Sequence, residues 1–155
     1  MDLKKMFKTL EMPIRKLGVD MVNEIISVLE SKDKVASGKL INSIKHEYRI
    51  DIDNIELLIK SEDYIKFLES GRRPGKYVPI KALKEWVKFK GIPEKAIYPI
   101  NHKIFKFGIK PVQILKPIVD KYNKPDRFGG IIKQYNRIVA DYLKWEFQQI
   151  EKNMK

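Results

Sequence analysis

Apolar residues recur along this chain with two periods, and the switch between them predicts most of the fold. Leu3, Met6, Phe7 and Leu10 fall at helical spacing as far as Pro13, which is expected to interrupt or kink the pattern. A clearer helical stripe follows in Val22, Ile25, Ile26 and Leu29, with Lys16, Asp20, Asn23 and Glu30 on other faces. It fades in Ser31-Lys32-Asp33-Lys34, and in the short segment beyond, Ser37 is expected to cap one helical turn. At Ile44 the period falls to two. Ile44, His46, Tyr48, Ile50 and Ile52 alternate with Lys45, Glu47, Arg49 and Asp51, and Ile55, Leu57 and Ile59 resume the alternation beyond Asp53-Asn54. This predicts a β-hairpin over residues 44–60 with one buried face.

Helical spacing then returns. Residues 63–71 read as a short helix or turn-rich segment stopped by Gly71. Pro79 opens a helix carrying Ile80, Leu83 and Val87, and Gly91 ends it. Ile97, Ile100, Ile104 and Phe107 form a further stripe closing at Gly108. Pro111 and Pro117 are expected to break up the next region, where Ile114, Leu115, Ile118 and Val119 look buried. Residues 123–130 carry the strongest loop signal, and Ile131, Tyr135, Ile138, Tyr142 and Trp145 step along a long final helix. Its near-heptad run is too short to predict a coiled coil. The expected fold is α+β, a single domain in which a small antiparallel sheet packs with several helices. Its core covers residues 1–122, and residues 123–155 add a loop and the C-terminal helix.

Composition narrows the function. A chain of 155 residues with 43% hydrophobic and 34% charged residues folds and does not resemble a disordered tract. No apolar run is long enough to cross a bilayer, and Met1-Asp2-Leu3-Lys4-Lys5 leads into an amphipathic pattern, so a cytoplasmic site of synthesis is expected, with no membrane partner. There are no cysteines, which excludes disulfides, thiolate metal sites and a cysteine nucleophile. The net charge is +12, and between Lys60 and Lys110 thirteen basic residues face five acidic ones, a local balance of 13 − 5 = +8. Such a surface attracts polyanions or acidic protein faces. Tyr64, Phe67, Tyr77, Trp86, Phe89, Tyr98, Phe105 and Phe107 run through the same stretch, at spacings that favour core packing over exposed stacking.

No catalytic constellation stands out, and no catalytic residue, cofactor site or metal site is predicted. His46 lies on the apolar face of the hairpin and His102 within a helical stretch, with no cluster at ligand spacing around either. Asp51, Asp53, Glu56 and Lys60 invite comparison with a metal-dependent nuclease, but the lysine spacing is wrong, and turn chemistry accounts for Asp51, Asp53 and Asn54. The loop Gly71-Arg72-Arg73-Pro74-Gly75-Lys76 lacks the spacer of a phosphate-binding loop, and Pro74 removes a backbone donor. Arg72, Arg73, Pro74, Gly75, Lys76 and Tyr77 are the candidate docking loop, weighed against a plain solvated turn.

The order of these pieces resembles the phage tail-completion, or neck (head–tail joining), protein family typified by phage HK97. Ala36-Ser37-Gly38-Lys39-Leu40-Ile41-Asn42-Ser43-Ile44 is similar to the family's small-Thr/Ser-Gly-x-Leu-x-x-Ser-Ile segment, with Ser37 for the commoner threonine. Tyr64 through Glu69 to Gly71 is similar to its Tyr-x-x-hydrophobic-hydrophobic-Glu-x-Gly element. Pro79, Trp86 and Lys90-Gly91-Ile92 follow in the expected succession, and Gly108-Ile109-Lys110-Pro111 with Leu115-Lys116-Pro117 matches the closing pattern. The likeness spans residues 17–119 and has no counterpart for the last helix. It implies a non-enzymatic virion subunit, made and assembled in the host bacterial cytoplasm. The implied assembly is a homo-oligomeric ring that joins the tail tube to neck or connector subunits and surrounds the DNA passage, with nonspecific DNA contact. The alternative is a stand-alone basic nucleic-acid-binding module.

Overall fold

The structure, a computed structural model, describes residues 1–34 and 38–154. In chain order its elements are α1 (Leu3–Ser31), α2 (Lys39–Ser43), β1 (Lys45–Ile50), β2 (Ile55–Lys60), α3 (Tyr64–Ser70), α4 (Ile80–Phe89), α5 (Ile97–Phe107), α6 (Leu115–Tyr122) and α7 (Phe128–Asn153), with a 3₁₀ turn at Glu94–Ala96. The class is α+β, with one antiparallel hairpin and a long C-terminal helix, as expected. The elements gather into two compact units interleaved in sequence. One holds Met1–Asn23, His46–Ile59 and Val119–Lys155, and the other Glu24–Lys45 and Lys60–Ile118.

Pro13 does not interrupt the first helix. α1 runs through it without a break, because proline removes only one hydrogen bond while Phe7, Leu10, Ile14, Leu17, Met21, Ile25 and Leu29 form a continuous buried stripe. Burial of that face outweighs the local break. Replacing Pro13 with Ala restores a donor to the Thr9 carbonyl and relieves the ring clash. It is therefore expected to raise stability by about 1–3 kcal/mol, read as a higher urea midpoint at unchanged m-value. An unchanged or lower midpoint would mean that proline costs this helix nothing at position 13.

In the first unit, Phe7 stacks on Tyr135 with ring centroids 5.8 Å apart, and the Tyr135 hydroxyl donates to the Ile52 carbonyl at 3.0 Å. These contacts tie α7 to the start of α1 and to the hairpin turn. Within that turn the Asp51 carboxylate accepts the backbone N–H groups of Asp53 (3.0 Å) and Asn54 (2.9 Å), so the acid shapes the turn. In β1 every second residue is half-buried, in keeping with the period-two pattern. His46 lies over α1 at Gly18, where a methyl group would stand 2.5 Å from the imidazole Cδ2, so only glycine admits the ring.

The second unit is built around Leu83, Val87 and Ile97, with Val78, Ile80, Trp86, Ile92, Ile100 and Ile104 packed against them. Leu40, Ile65, Leu68 and Ile114 are also buried. The Lys90 ammonium reaches the Asp33 carboxylate at 2.7 Å and the Asp33 carbonyl at 3.3 Å, holding the bend after α1.

Three other expectations need correction. Pro117 does not break up its region, since it sits in the first turn of α6, where a missing N–H costs nothing. Val119, expected to be buried, is exposed on that helix. The loop over 123–130 is shorter than predicted, because α7 already starts at Phe128 and takes Gly129 and Gly130 into its first turn. The cap expected at Ser37 lies outside the described residues, while Gly38, at φ 76°, stands at the N-cap of α2.

Candidate functional site

Four of the residues that carry the family resemblance, Glu69, Gly71, Gly108 and Pro111, converge in the second unit although they lie far apart in sequence. Gly71 follows α3 and Gly108 follows α5, and the two strands of chain cross there. Arg72 N–H donates to the Ile109 carbonyl and Ile109 N–H to the Arg72 carbonyl, both at 2.8 Å. Gly71 has φ 71°, ψ −167° and Gly108 φ 70°, ψ −161°, a region open only to glycine. A side chain at Gly71 would strike the Ile109 carbonyl and the nitrogen of Pro111, and one at Gly108 the Arg72 carbonyl and Pro74. Val112 N–H then donates to the Leu68 carbonyl at 2.7 Å.

Glu69 completes this joint. Its carboxylate accepts the N–H groups of Ile114 (2.7 Å), Leu115 (2.8 Å) and Lys116 (2.9 Å), donors at the start of α6 that have no acceptor within the helix. Burial pushes the carboxyl up, but these three donors and Lys32 outweigh it and hold its pKa below the ordinary 4.5. A depressed folded value means the stabilisation is present in full above the unfolded pKa and fades as pH falls through the folded one. Glu69→Gln is accordingly expected to cost about 1–2 kcal/mol at pH 7 in urea unfolding. The gap between variant and parent should close below pH 4.5. A gap that stays constant down to about pH 3, roughly one and a half units below the ordinary value, would remove the charged cap from the account.

The remaining motif residues have local roles. Ser43 accepts the Glu62 N–H at 3.0 Å and donates to the Leu40 carbonyl at 2.7 Å, joining α2 to the start of α3. Leu40 is buried and Trp86 half-buried in the core, Gly91 has φ 65° just beyond α4, and Tyr64 is exposed at the start of α3.

From the joint the loop Arg72–Tyr77 projects, and it is pinned. Gly75 N–H donates to the Phe105 carbonyl at 2.8 Å, and the Arg72 guanidinium donates from Nη2 to the Tyr77 carbonyl at 3.0 Å. Tyr77 stacks on Phe105 at 4.4 Å, and the buried Asn101 pairs through both amide atoms with Val78, accepting its N–H at 2.8 Å and donating to its carbonyl at 2.9 Å. Arg73, Pro74, Gly75, Lys76 and Tyr77 are exposed on this fixed backbone. Asn101 was not picked out from the sequence, although a polar side chain at the core-facing step between Ile97 and Ile104 is a legible signal.

The aromatic residues of this unit depart most from expectation. Helical spacing favoured packing, yet Tyr64, Phe67, Tyr77, Phe89, Tyr98 and Phe107 are exposed, while Trp86 and Phe105 are half-buried. On α5 the core face is Ile97, Asn101 and Ile104, which leaves Tyr98, His102 and Phe105 on the outer face. His102 lies 6.5 Å from the Phe105 ring, which in turn carries Tyr77, and Phe67 sits 6.0 Å beneath the Arg72 guanidinium. Rings and cations thus form one solvent-facing patch around the pinned loop. Among the described residues no group of three or more His, Cys, Asp or Glu is placed to hold a metal ion, and no helix is long and apolar enough to cross a membrane. No family model, curated protein or solved structure matches the chain.

Proposed function

We propose that this chain is a non-enzymatic virion subunit of the neck or tail-completion type. In this reading it assembles into a ring that joins the tail tube to the head–neck connector and surrounds the DNA passage. The observation that carries the reading is the convergence of Glu69, Gly71, Gly108 and Pro111, the residues of the resemblance, on the joint that holds an exposed basic and aromatic loop. A rigid loop flanked by exposed Tyr, Phe and Arg has the composition of an interface core. A subunit of a closed ring needs two different faces that fit one another. The excess of positive charge would face acidic neighbours or the phosphates of DNA in transit.

Sedimentation velocity and negative-stain microscopy of the purified chain, alone and mixed with tails, test this. Closed rings, or binding at the tail end, are the expected result; a monomer that ignores tails contradicts it. The exposed rings also favour a second reading, a module that stacks single-stranded nucleic acid on Tyr98 and Tyr77. That reading predicts binding to oligonucleotides that weakens steeply with salt, and it fails if no binding is seen at low salt.

A further inference from the structure

The last three turns of α7, with Met154 at its C-cap, carry an exposed apolar surface within the first unit. Leu143, Phe147, Ile150 and Met154 are all exposed, Phe147 by 65% and Met154 by 76%. Their steps of four, three and four residues make an apolar seam with heptad spacing. It lies roughly 130° around the helix from the buried Ile131, Tyr135 and Ile138, counting 100° per residue. Those residues and the half-buried Tyr142 and Trp145 serve the chain's own core, so the seam faces solvent.

We infer that this seam pairs two copies of the chain through antiparallel α7 helices. The charges beside the seam select both the occupant and the direction. With Phe147 and Ile150 as core positions of a heptad, the flanking positions are Lys144 and Glu151 on one side and Glu146 and Asn153 on the other. Lys144 and Glu151 are both exposed. In an antiparallel pair the first side meets itself, so Lys144 of each copy faces Glu151 of the other, twice over. On the second side Glu146, whose carboxylate accepts the Tyr142 hydroxyl at 2.6 Å, faces the neutral Asn153. A parallel pair would instead set Glu146 against Glu151 on both flanks, a repulsion between like charges. In the antiparallel register Leu143 packs on Met154 and Phe147 on Ile150. Two heptads make a small interface, below the ~1,200 Å² of standard complexes, so the affinity expected is weak, with Kd on the order of tens of micromolar.

Sedimentation equilibrium of the full chain tests this, in a Tyr98→Glu background so that contacts of the aromatic patch do not mask the result. A monomer–dimer equilibrium is expected. Phe147→Glu should abolish it with the circular dichroism unchanged, since the residue is exposed. Lys144→Glu and Glu151→Lys should each weaken dimerisation by about tenfold, and the double charge swap should restore it. The chain has no cysteine of its own, so Leu143→Cys and Met154→Cys chains can be mixed under oxidation. Antiparallel pairing predicts disulfides between the two kinds of chain. Disulfides only within each kind indicate a parallel pair, and a monomer up to about 1 mM, a generous multiple of the expected Kd, leaves no self-pairing; either outcome overturns the inference.

Discussion

Gly108→Ala is expected to lose about 4 kcal/mol or more of stability, enough to unfold a domain of ordinary stability. Two effects add. The backbone at φ 70°, ψ −161° is one that L-residues avoid, at a cost of about 1–3 kcal/mol. The new methyl group would also collide with the Arg72 carbonyl and approach the nitrogen and Cδ of Pro74 at 3.1 Å. Both neighbours are held, Arg72 by hydrogen bonds to Ile109 in both directions and Pro74 by the adjoining Gly75 N–H on the Phe105 carbonyl. Gly71→Ala meets the same pair of obstacles from the other strand, against Ile109 and Pro111, and is expected to behave alike. Gly91 is the control. It also has a positive φ of 65°, but a methyl group there would touch nothing within 4 Å, so Gly91→Ala should cost only about 1 kcal/mol. Urea unfolding of the three variants separates conformational cost from collision. If Gly108→Ala were no worse than Gly91→Ala, the crossing of the two strands would be wrong.

The second large effect concerns assembly. Tyr98 is 71% exposed, so a glutamate there should leave folding within about 0.5 kcal/mol of the parent, whereas at Tyr77, which stacks on Phe105, it should cost about 0.5–1.5 kcal/mol without unfolding the chain. If these rings anchor a subunit contact, each substitution should weaken association about 30-fold or more, the scale of a hot-spot residue losing 2 kcal/mol. The pair together should leave a monomer at working concentrations. The measurement is the assembly midpoint against protein concentration by sedimentation velocity. A ring that forms equally well from the double variant would remove the aromatic patch from the interface.

How far the sequence could be read depended on whether the deciding interactions were local. The hairpin was legible because alternation and the Asp51-to-Asn54 turn lie within a few residues of each other. α4 and α5 were bounded by Pro79, Gly91 and Gly108, whose effects are also local. At Pro13 the local pattern alone suggests an interruption of α1, which the buried stripe from Phe7 to Leu29 overrides. The exposure of the aromatic residues is hidden for a related reason. Spacing shows that Tyr98, His102 and Phe105 share a face of α5, but not that Ile97, Asn101 and Ile104 take the core face.

The joint at the candidate site was the least legible feature. Glu69 caps a helix 45 residues further on, and Gly71 owes its identity to a carbonyl at Ile109. In the sequence each is a single residue in a motif. Only the folded chain gives them a common physical purpose, which is to fix the base of the Arg72–Tyr77 loop. Docking through that loop and its surrounding rings is the centre of the functional proposal.

Hydroxyl-radical footprinting of the assembled species against the monomer tests that centre most directly. Tyr98, Tyr77 and Phe67 should fall in reactivity by about fivefold or more on assembly, as expected of side chains entering a water-excluded interface core. Met12, exposed on the other unit, should stay reactive and serve as the reference. Equal labelling of the three rings in both species would contradict the account.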